Sequence, residues 1–468
     1  MKPKYAWGRV EPPTTETGLG EPKDVFSRNP TGYPMWTEAM KAAIGVLRQA
    51  GRKWFSLYDK VIAPANLRAA WDRINRRVTG KKRQQGAGVD GITVAKFESR
   101  ADAELQKLGE QLSTGRYSPS PVRRHYIPKP GSTKLRPLGL PTVRDRIVQE
   151  ACRSMIEPIF ESEFLDHSHG FRPGKSVDTA CVQVERHLLA GRKWVVDLDI
   201  EKCFDAIPHE PLVDRVARRV SDGKVLDLVR SFLESGVMEE MQVRYDTTGT
   251  PQGGIISPVL ANIYLHDLDV AMDAHGIAWV RYADDVVALC QSREEAEQAL
   301  EWIRQVLDGL GLKLSAEKTR IVHLDEGFDY LGWHYQGQKR WPRQKSVDKL
   351  RRTLRTRTRR TRPGSLQSIC ADLAPVLSGW LNFFRVGNVQ STCHELDGWL
   401  RRRLRSLLRK RTKRHGISPC GHDHQRWPNS YFAEHGLFSL QDHLDEYRRT
   451  PRQLNFLSLR DWSLESRM

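Results

Sequence analysis

Two adjacent carboxylates, Asp284 and Asp285, stand between two apolar runs of the chain. Trp279 and Val280 precede them, and the apolar residues 286–289 follow. An unpaired buried carboxylate is costly, so these acids need solvent, a partner or a cation. The flanking runs predict two strands joined by a tight hairpin, which would hold both acids at one rim as a site for a divalent cation. A solvated turn is the alternative interpretation.

A second acidic segment lies upstream, at residues 194–205. Its alternation of apolar and polar residues predicts a strand that turns into a polar loop. The segment offers three acids, Asp197, Asp199 and Asp205. Because alternate residues share a strand face, Asp197 and Asp199 are expected on the same side, and spacing alone does not choose between them.

Together the two segments predict a phosphoryl-transfer site. Two-metal phosphoryl transfer needs carboxylates from separate strands that bridge ions about 4 Å apart. Asp199 with Asp284 and Asp285 would supply three carboxylates, enough for two Mg²⁺ ions. Water, substrate phosphates and a backbone carbonyl such as that of Ile200 would fill the remaining positions.

The chain resembles the reverse transcriptases encoded by group II introns, the maturase type. The resemblance rests on short blocks that occur in the family's order, from near Leu67 to residue 333. They read GVDG at 88–91, IPKP at 127–130, RPLGLPT at 136–142, HGFRPGKS at 169–176, DIEKCFD at 199–205, TPQGG at 250–254, YADD at 282–285, LSAEKT at 314–319 and YLGW at 330–333.

The resemblance implies an RNA-directed DNA polymerase with an α+β right-hand fold. Fingers and a palm with an antiparallel sheet would be followed by an α-helical thumb, the X domain. In this family the first catalytic acid opens the block that here begins with Asp199, so the resemblance selects Asp199 over Asp197 and Asp205. The implied catalytic and Mg²⁺-binding set is Asp199, Asp284 and Asp285.

The resemblance also implies contacts to the deoxynucleoside triphosphates (dNTPs). Lys129 and Arg136 flank a Pro/Gly-rich turn, where an ammonium and a guanidinium would suit phosphate oxygens. Phe204 matches the aromatic residue that excludes a 2′-hydroxyl, and Gln252 lies in the loop that supports the templating base. A solvated basic turn, a core phenylalanine and an ordinary loop are the alternatives.

Charge is distributed unevenly along the chain. Its formal charge is +18, and residues 339–426 hold 23 Lys and Arg against 5 Asp and Glu, so this region alone accounts for the excess. Such segregation indicates a surface for the phosphate backbone of a nucleic acid. Seven scattered cysteines predict no disulfide framework. The lack of a long apolar run or a signal-peptide pattern predicts no membrane span and a cytoplasmic location.

The basic region is expected to be helical. A basic helix is predicted over 345–361 and an apolar one over 366–385, and residues 392–395 suit a capping box for a third helix. One face of the third helix would pack and the other would meet phosphate. The residues predicted on that outer face are Arg401, Arg402, Arg405, Arg409 and Lys413.

These patterns divide the chain into an N-terminal extension (1–60), fingers and palm (61–335), a thumb (336–415) and a basic tail (416–468) with a candidate DNA-binding role. The expected partners are group II intron RNA, an RNA template with a DNA primer or target DNA, and dNTPs. Paired cysteines of an HNH nuclease are absent, so no second-strand cleavage is expected. A splicing cofactor with little polymerase use, or a reverse transcriptase in defence or repair, is the alternative function.

Overall fold

The first part of the computed structural model is mainly helical. The structure describes residues 35–128, 135–239, 242–244, 248–249, 253–412 and 420–449. Up to residue 189 the elements are α1 (Glu38–Gln49), α2 (Tyr58–Val61), α3 (Pro64–Arg77), the 3-10 helix η1 (Gly80–Gln84), α4 (Val94–Glu98), α5 (Ala101–Ser113), β1 (Val122–Pro128), β2 (Leu135–Leu140), α6 (Val143–Glu161) and α7 (Val177–Leu189).

The middle part alternates strands and helices. It contains β3 (Trp194–Asp199), α8 (Cys203–Ala206), α9 (His209–Ala217), α10 (Gly223–Leu233), β4 (Val237–Glu239), β5 (Gln242–Arg244), α11 (Ser257–Ala274), β6 (Ala278–Tyr282), β7 (Asp285–Cys290), α12 (Arg293–Gly309), β8 (Arg320–His323), β9 (Phe328–Tyr330), β10 (Trp333–Gln336) and β11 (Lys339–Pro342). Only helices follow in the described chain: α13 (Gln344–Arg357), α14 (Leu366–Phe384), α15 (Gln390–Arg411), α16 (Cys420–Arg426), α17 (Asn429–Glu434) and α18 (Leu440–Arg449).

The strands form three sheets in the described chain. The central sheet has the order β6-β7-β3-β8 and is antiparallel throughout. A second sheet, β2-β1-β4-β5, is antiparallel except for the short parallel pairing of β1 with β4, and the third is the antiparallel sheet β11-β10-β9. The α+β class with antiparallel sheets is therefore confirmed.

The central sheet is covered by apolar packing on both faces. Val196 and Leu198 of β3 belong to one buried core, which includes residues of α6, α11 and α12. Val195 and Val287 belong to a second core, which includes residues of α7, of the third sheet and of helices α13–α15. Burying one such side chain contributes about 1.5–3 kcal/mol. Two-sided burial explains why residues 286–290 form an unbroken apolar run rather than an alternating one.

Of the three helices predicted in the basic region, the one over 366–385 is confirmed as α14, and the other two differ from the observed helices at one end. The capping box predicted at 392–395 is wrong, because α15 already begins at Gln390, after Val389. Val389 is fully buried, and the neighbouring Asn388 donates its backbone N–H to the Arg340 carbonyl at 2.8 Å. Docking of this turn on β11 sets where the helix starts. The first basic helix ends at Arg357, four residues before its predicted end at residue 361.

The described part of the C-terminal segment packs against α15. Phe432 and Leu444 are fully buried in the same core as helices α13–α15. Asp397 of α15 accepts hydrogen bonds from the backbone N–H groups of Leu440 and Gln441, both at 3.1 Å, and so caps the start of α18. Residues 420–449 are thus part of this helical unit in the structure.

Candidate active site

Register in the central sheet brings two of the predicted acids together. Asp199, the last residue of β3, lies directly opposite Asp285, the first residue of β7. Residues directly opposite on antiparallel strands project to the same face, with Cβ atoms about 4.5–5.5 Å apart. Asp197, two residues earlier on β3, shares that face, as the alternation predicted. The strands and the hairpin predicted around Asp284 are confirmed.

The hairpin that carries Asp284 has a strained backbone. β6 ends at Tyr282 and β7 begins at Asp285, so Ala283 and Asp284 form a two-residue turn. Ala283 has a φ of 59°, a value that favours glycine at the first central position of such a turn. A non-glycine residue there costs about 1–3 kcal/mol. The turn projects Asp284 beside Asp285 at the same edge of the sheet.

Like charges gather at this edge. The Asp285 residue reaches solvent, but protein surrounds its carboxyl group on most sides, and this desolvation raises the pKa of Asp285 to about 6. The charges of Asp284, Asp199 and Asp197 raise this pKa further. Burial also raises the pKa of Asp197, although its hydrogen bond from Arg320 opposes the shift. A cation placed at the edge would relieve this repulsion.

Lys318 is the positive group closest to these acids in the structure. Its Nζ lies 3.0 and 2.8 Å from the two carboxylate oxygens of Asp199. The segment that carries it is fixed to β3, because Ser315 donates its backbone N–H to the Asp199 carbonyl at 2.8 Å. The segment is one of the blocks that match the family, but the sequence patterns indicated no role for Lys318. The only sequence signal was that block, since 119 residues separate the two side chains.

These side chains fit a divalent cation in their chemistry. Asp199 and Asp285 offer hard oxygen donors on one face, and their mutual repulsion calls for positive charge. In the described part of the chain, however, no three His, Cys, Asp or Glu side chains converge closely enough to hold a metal ion. The predicted cage of Asp199, Asp284 and Asp285 with the Ile200 carbonyl therefore remains a prediction. Ile200 itself is buried and bridges to Leu314.

A recess of about 350 Å³ opens beside the acids. Asp197, Asp285, Asp329 and Arg343 contribute to its wall. The turn of the β9-β10 hairpin closes one side, with φ values of 48° at Leu331 and 91° at the following glycine, which match a type I′ turn. No sequence pattern indicated that Asp329 or Arg343 belongs to the site. The recess therefore leaves space for a polar ligand next to the carboxylates.

The predicted substrate contacts are only partly described. Lys129 and Gln252 lie outside the described residues. Arg136 belongs to β2, where its backbone pairs with Ile127. Phe204 lies in the short helix α8, half-buried and packed against the core on one face of the central sheet. The roles given to these four residues stay predictions.

Exposed arginines lie in the last turn of α13 and just after it. Arg355, Arg359 and Arg360 line an open depression of about 490 Å³ together with Arg403 of α15. This depression suits a chain of phosphates, since one guanidinium group can donate two parallel hydrogen bonds to the oxygens of one phosphate. We call this set of four arginines the thumb arginine groove, after the thumb that the sequence predicts over residues 336–415.

Two of the arginines predicted to meet phosphate face the protein instead. Arg405 is 3% exposed and donates to the Trp427 carbonyl at 2.9 Å and to Asn429 Oδ1 at 2.8 Å. Arg409 pairs with Asp423 at 3.4 Å. The outward position predicted for both is wrong, because α16 and α17 cover this side of α15. Arg402 is exposed and Arg401 half-buried, while Lys413 lies outside the described residues.

No helix among the described residues has the length and apolar character needed to cross a membrane.

Comparison with known proteins adds to the geometry. The family described as "Reverse transcriptase (RNA-dependent DNA polymerase)" matches residues 127–335, which include the acidic sheet edge. The family described as "Group II intron, maturase-specific domain" matches residues 347–427, which include the thumb arginine groove.

Individual relatives agree with these matches. Protein YkfC of Escherichia coli (strain K12) is 36% identical over 284 residues, which cover 52% of this chain and 74% of that protein. The group II intron-encoded protein LtrA of Lactococcus lactis subsp. cremoris is 32% identical over 339 residues, 58% of this chain and 56% of LtrA. The putative COX1/OXI3 intron 2 protein of Saccharomyces cerevisiae is 29% identical over 316 residues, 55% of this chain and 36% of that protein.

Proposed function

We propose, from the premise that this chain belongs to the reverse transcriptase and maturase family encoded by group II introns, that it is an RNA-directed DNA polymerase. One observation carries the proposal. Asp199 and Asp285 lie opposite each other where β3 and β7 meet, beside the strained turn of Asp284. No structural need of the fold explains three carboxylates at one sheet edge, since their repulsion is unfavourable without a cation.

The right-hand architecture is part of this proposal. Residues 61–335 would form fingers and palm, with the central sheet as the palm, and residues 336–415 would form the thumb. The helices of 420–449 would extend the thumb, and residues 416–468 would reach DNA. Support comes from the second core, in which buried residues of the central sheet pack together with buried residues of the proposed thumb helices. A template-primer duplex would lie between the acidic edge and the thumb.

The carboxylates would act through bound Mg²⁺. When bound, two Mg²⁺ ions would activate the primer 3′-hydroxyl and stabilise the leaving pyrophosphate. In this chain Asp199, Asp284 and Asp285 would present oxygens to them, with the Ile200 carbonyl as a further donor. Lys318 would have to move from Asp199 for that oxygen pair to become available.

The substrate contacts complete the proposed site. Lys129 and Arg136 would bind the triphosphate of the incoming dNTP by charge. Phe204 would occupy the space beside the sugar, where a ribose 2′-hydroxyl would clash. Gln252 would support the templating base.

A second function has its own observation in the thumb arginine groove. Its arginines lie within the segment that matches the maturase-specific family, and the region 339–426 holds the whole excess of positive charge. We propose that this surface binds structured group II intron RNA and assists its splicing. The same surface would hold the RNA template while the intron is copied into its DNA target.

Extension of a DNA primer on an RNA template by the purified protein tests the polymerase proposal. The wild-type chain should incorporate dNTPs in the presence of Mg²⁺, and Asp284→Ala should abolish incorporation. RNA binding, measured by fluorescence anisotropy, should be retained in Asp284→Ala. Undiminished extension by Asp284→Ala would overturn the assignment.

Splicing of a group II intron precursor at low Mg²⁺ tests the second function. Asp284→Ala protein should stimulate splicing as well as wild type, because the thumb is unchanged. Loss of splicing together with extension would show that the two activities are not separable.

A further inference from the structure

A fully buried guanidinium contacts the strained turn. Arg281, on β6, has no solvent exposure, and neither does Asp269 on α11. Arg281 Nε donates to Asp269 Oδ1 at 2.7 Å and Nη2 donates to Asp269 Oδ2 at 2.5 Å. This two-pronged pair neutralises the charge of Arg281, so the arginine adds no net positive charge to the acidic edge.

The remaining nitrogen of Arg281 reaches the turn itself. Nη1 donates to the Ala283 carbonyl at 3.0 Å and to Asn262 Oδ1 at 2.9 Å. The Ala283 carbonyl belongs to the peptide that joins Ala283 to Asp284. A bond to this oxygen therefore fixes the plane of that peptide and the direction in which Asp284 leaves the backbone.

A third chain segment also packs closely against the turn. Asn262 Nδ2 donates to the Gly170 carbonyl at 2.8 Å, and a Cβ atom at Gly170 would collide with the backbone nitrogen of Ala283. The backbone of His169 donates to the Arg281 carbonyl at 2.8 Å. Only a glycine at position 170 allows this close approach. The turn is held between this segment and the buried guanidinium.

Fold stability alone does not require this arrangement. A buried salt bridge is weak evidence for stability, because the desolvation of both ions offsets their attraction. One described hydrogen bond of Arg281 instead ends on the carbonyl of Ala283, whose positive φ is unfavourable for a residue other than glycine. A single ammonium on a flexible stem would not reach the same acceptors with the same geometry.

We infer that Arg281, together with Asp269 and Asn262, is a positioning unit that holds the Ala283–Asp284 turn in its strained form and so sets the affinity of the acidic edge for divalent cations. The inference rests on the proposed polymerase site. The three residues touch neither substrate nor metal, and they act only through the turn.

Arg281→Lys tests the inference, with Arg73→Lys as a matched control. Arg73 is also an almost fully buried arginine, and it pairs with Glu150 at 3.3 Å to join α3 to α6. Both substitutions remove a buried guanidinium and keep a positive charge. Any general effect on folding should appear in both variants, whereas an effect on the turn should appear only in Arg281→Lys.

Three measurements separate the variants. Binding of Mn²⁺ to the free protein, followed by electron paramagnetic resonance, should weaken about tenfold in Arg281→Lys, the size expected when a hydrogen bond from a charged group is lost. Hydrogen–deuterium exchange of the 281–286 segment should become faster in Arg281→Lys. The Mg²⁺ concentration for half-maximal extension should rise in parallel. Arg73→Lys should leave all three at wild-type values.

Asn262→Ala keeps the inference testable if Arg281→Lys does not fold. This variant keeps the pair of Arg281 with Asp269 but removes the link to Gly170, so it should show a smaller change in the same three measurements. Unchanged Mn²⁺ binding and exchange in both variants would overturn the inference. Failure of the wild-type chain to extend a primer would overturn the polymerase proposal instead, and the exchange measurement would still decide the role of Arg281.

Discussion

The acidic edge of the central sheet and the thumb arginine groove place charge in opposite ways. At the sheet edge, Asp199 and Asp285 are fixed by strand register, and Asp284 sits on a turn held from below. In the groove, Arg355, Arg359 and Arg360 are exposed on a helix end and the turn that follows it. The first region fixes a few charges precisely, and the second supplies many charges at low precision.

The difference follows from what each region has to bind. A reacting phosphate tolerates little misplacement of the groups around it, since catalysis depends on near-exact positioning. A phosphate backbone is a repeating line of charge, so affinity grows with the number of contacts rather than with the position of any one. Single substitutions should therefore be severe at the sheet edge and mild in the groove.

The largest effect is expected from Asp199→Asn. Loss of one carboxylate charge should lower the rate of primer extension by roughly a thousandfold or more, because metal-mediated charge stabilisation is worth several kcal/mol. Steady-state extension on an RNA template measures it. Glu201→Gln, an exposed acid two residues away, is the control and should stay within about twofold of wild type. Equal losses in both variants would mean that overall charge, not position, matters at the sheet edge.

A triple substitution in the groove should have an intermediate effect. The triple variant Arg355→Ala, Arg359→Ala, Arg360→Ala should bind RNA about 10- to 100-fold more weakly. The slope of the logarithm of its affinity against the logarithm of salt concentration should become shallower by about two to three, since up to three phosphate contacts are lost. Anisotropy titrations at several salt concentrations measure both. Each single substitution should weaken RNA binding only severalfold. A triple alanine variant of Lys96, Arg100 and Lys107, exposed basic residues outside the region, should change binding less.

Two arginines of α15, on its buried and its exposed side, provide a smaller test. Arg405→Met should lower the free energy of unfolding by about 2–3 kcal/mol, because it leaves the Trp427 carbonyl without its buried donor. Arg402→Met, on the exposed side, should change it by no more than about 0.5 kcal/mol. Urea denaturation measures the difference, and limited proteolysis should cut α16 and α17 faster in Arg405→Met only. Similar stability of the two variants would contradict the buried role of Arg405.

The smallest effect concerns pH and the metal-free protein. Asp285 has a pKa of about 6 in the folded chain against an ordinary value of 3.8. Between these two pH values the carboxyl group is therefore more protonated in the folded state than in the unfolded state. Stability should therefore fall as pH rises from about 4 to 6. With EDTA present, the Tm of wild type should drop about one to two degrees more between pH 4 and 7 than that of Asp285→Asn. Parallel pH profiles for the two proteins would argue against the crowding of carboxylates.

Sequence patterns were sufficient where a local rule decided the outcome. The apolar runs on both sides of Asp284 predicted the β6-β7 hairpin, and alternation placed Asp197 and Asp199 on one face. The family that the ordered blocks implied was confirmed by the matches over 127–335 and 347–427. Each of these features depends on neighbouring residues or on a fixed order of motifs, which a single chain displays.

Patterns failed where a distant segment decided the outcome. Arg405 has the spacing of a solvent-facing residue, but α16 and α17 cover it. Helix α15 starts at Gln390, earlier than predicted, because the backbone N–H of Asn388 donates to the Arg340 carbonyl. Helical periodicity reports which residues share a face, but it does not report which other part of the chain will lie against that face.

The sequence by itself determined the family, the α+β class, the identity of the acidic residues and the region in which positive charge is concentrated. Composition, periodicity and motif order are all properties of the linear chain. Only the tertiary structure decided that Asp199 faces Asp285, that Lys318 pairs with Asp199, and that Arg281 supports the turn of Asp284. These contacts join residues far apart in the chain, and their geometry depends on strand register and on packing around a shared core. Neither can be obtained from the spacing of residues alone.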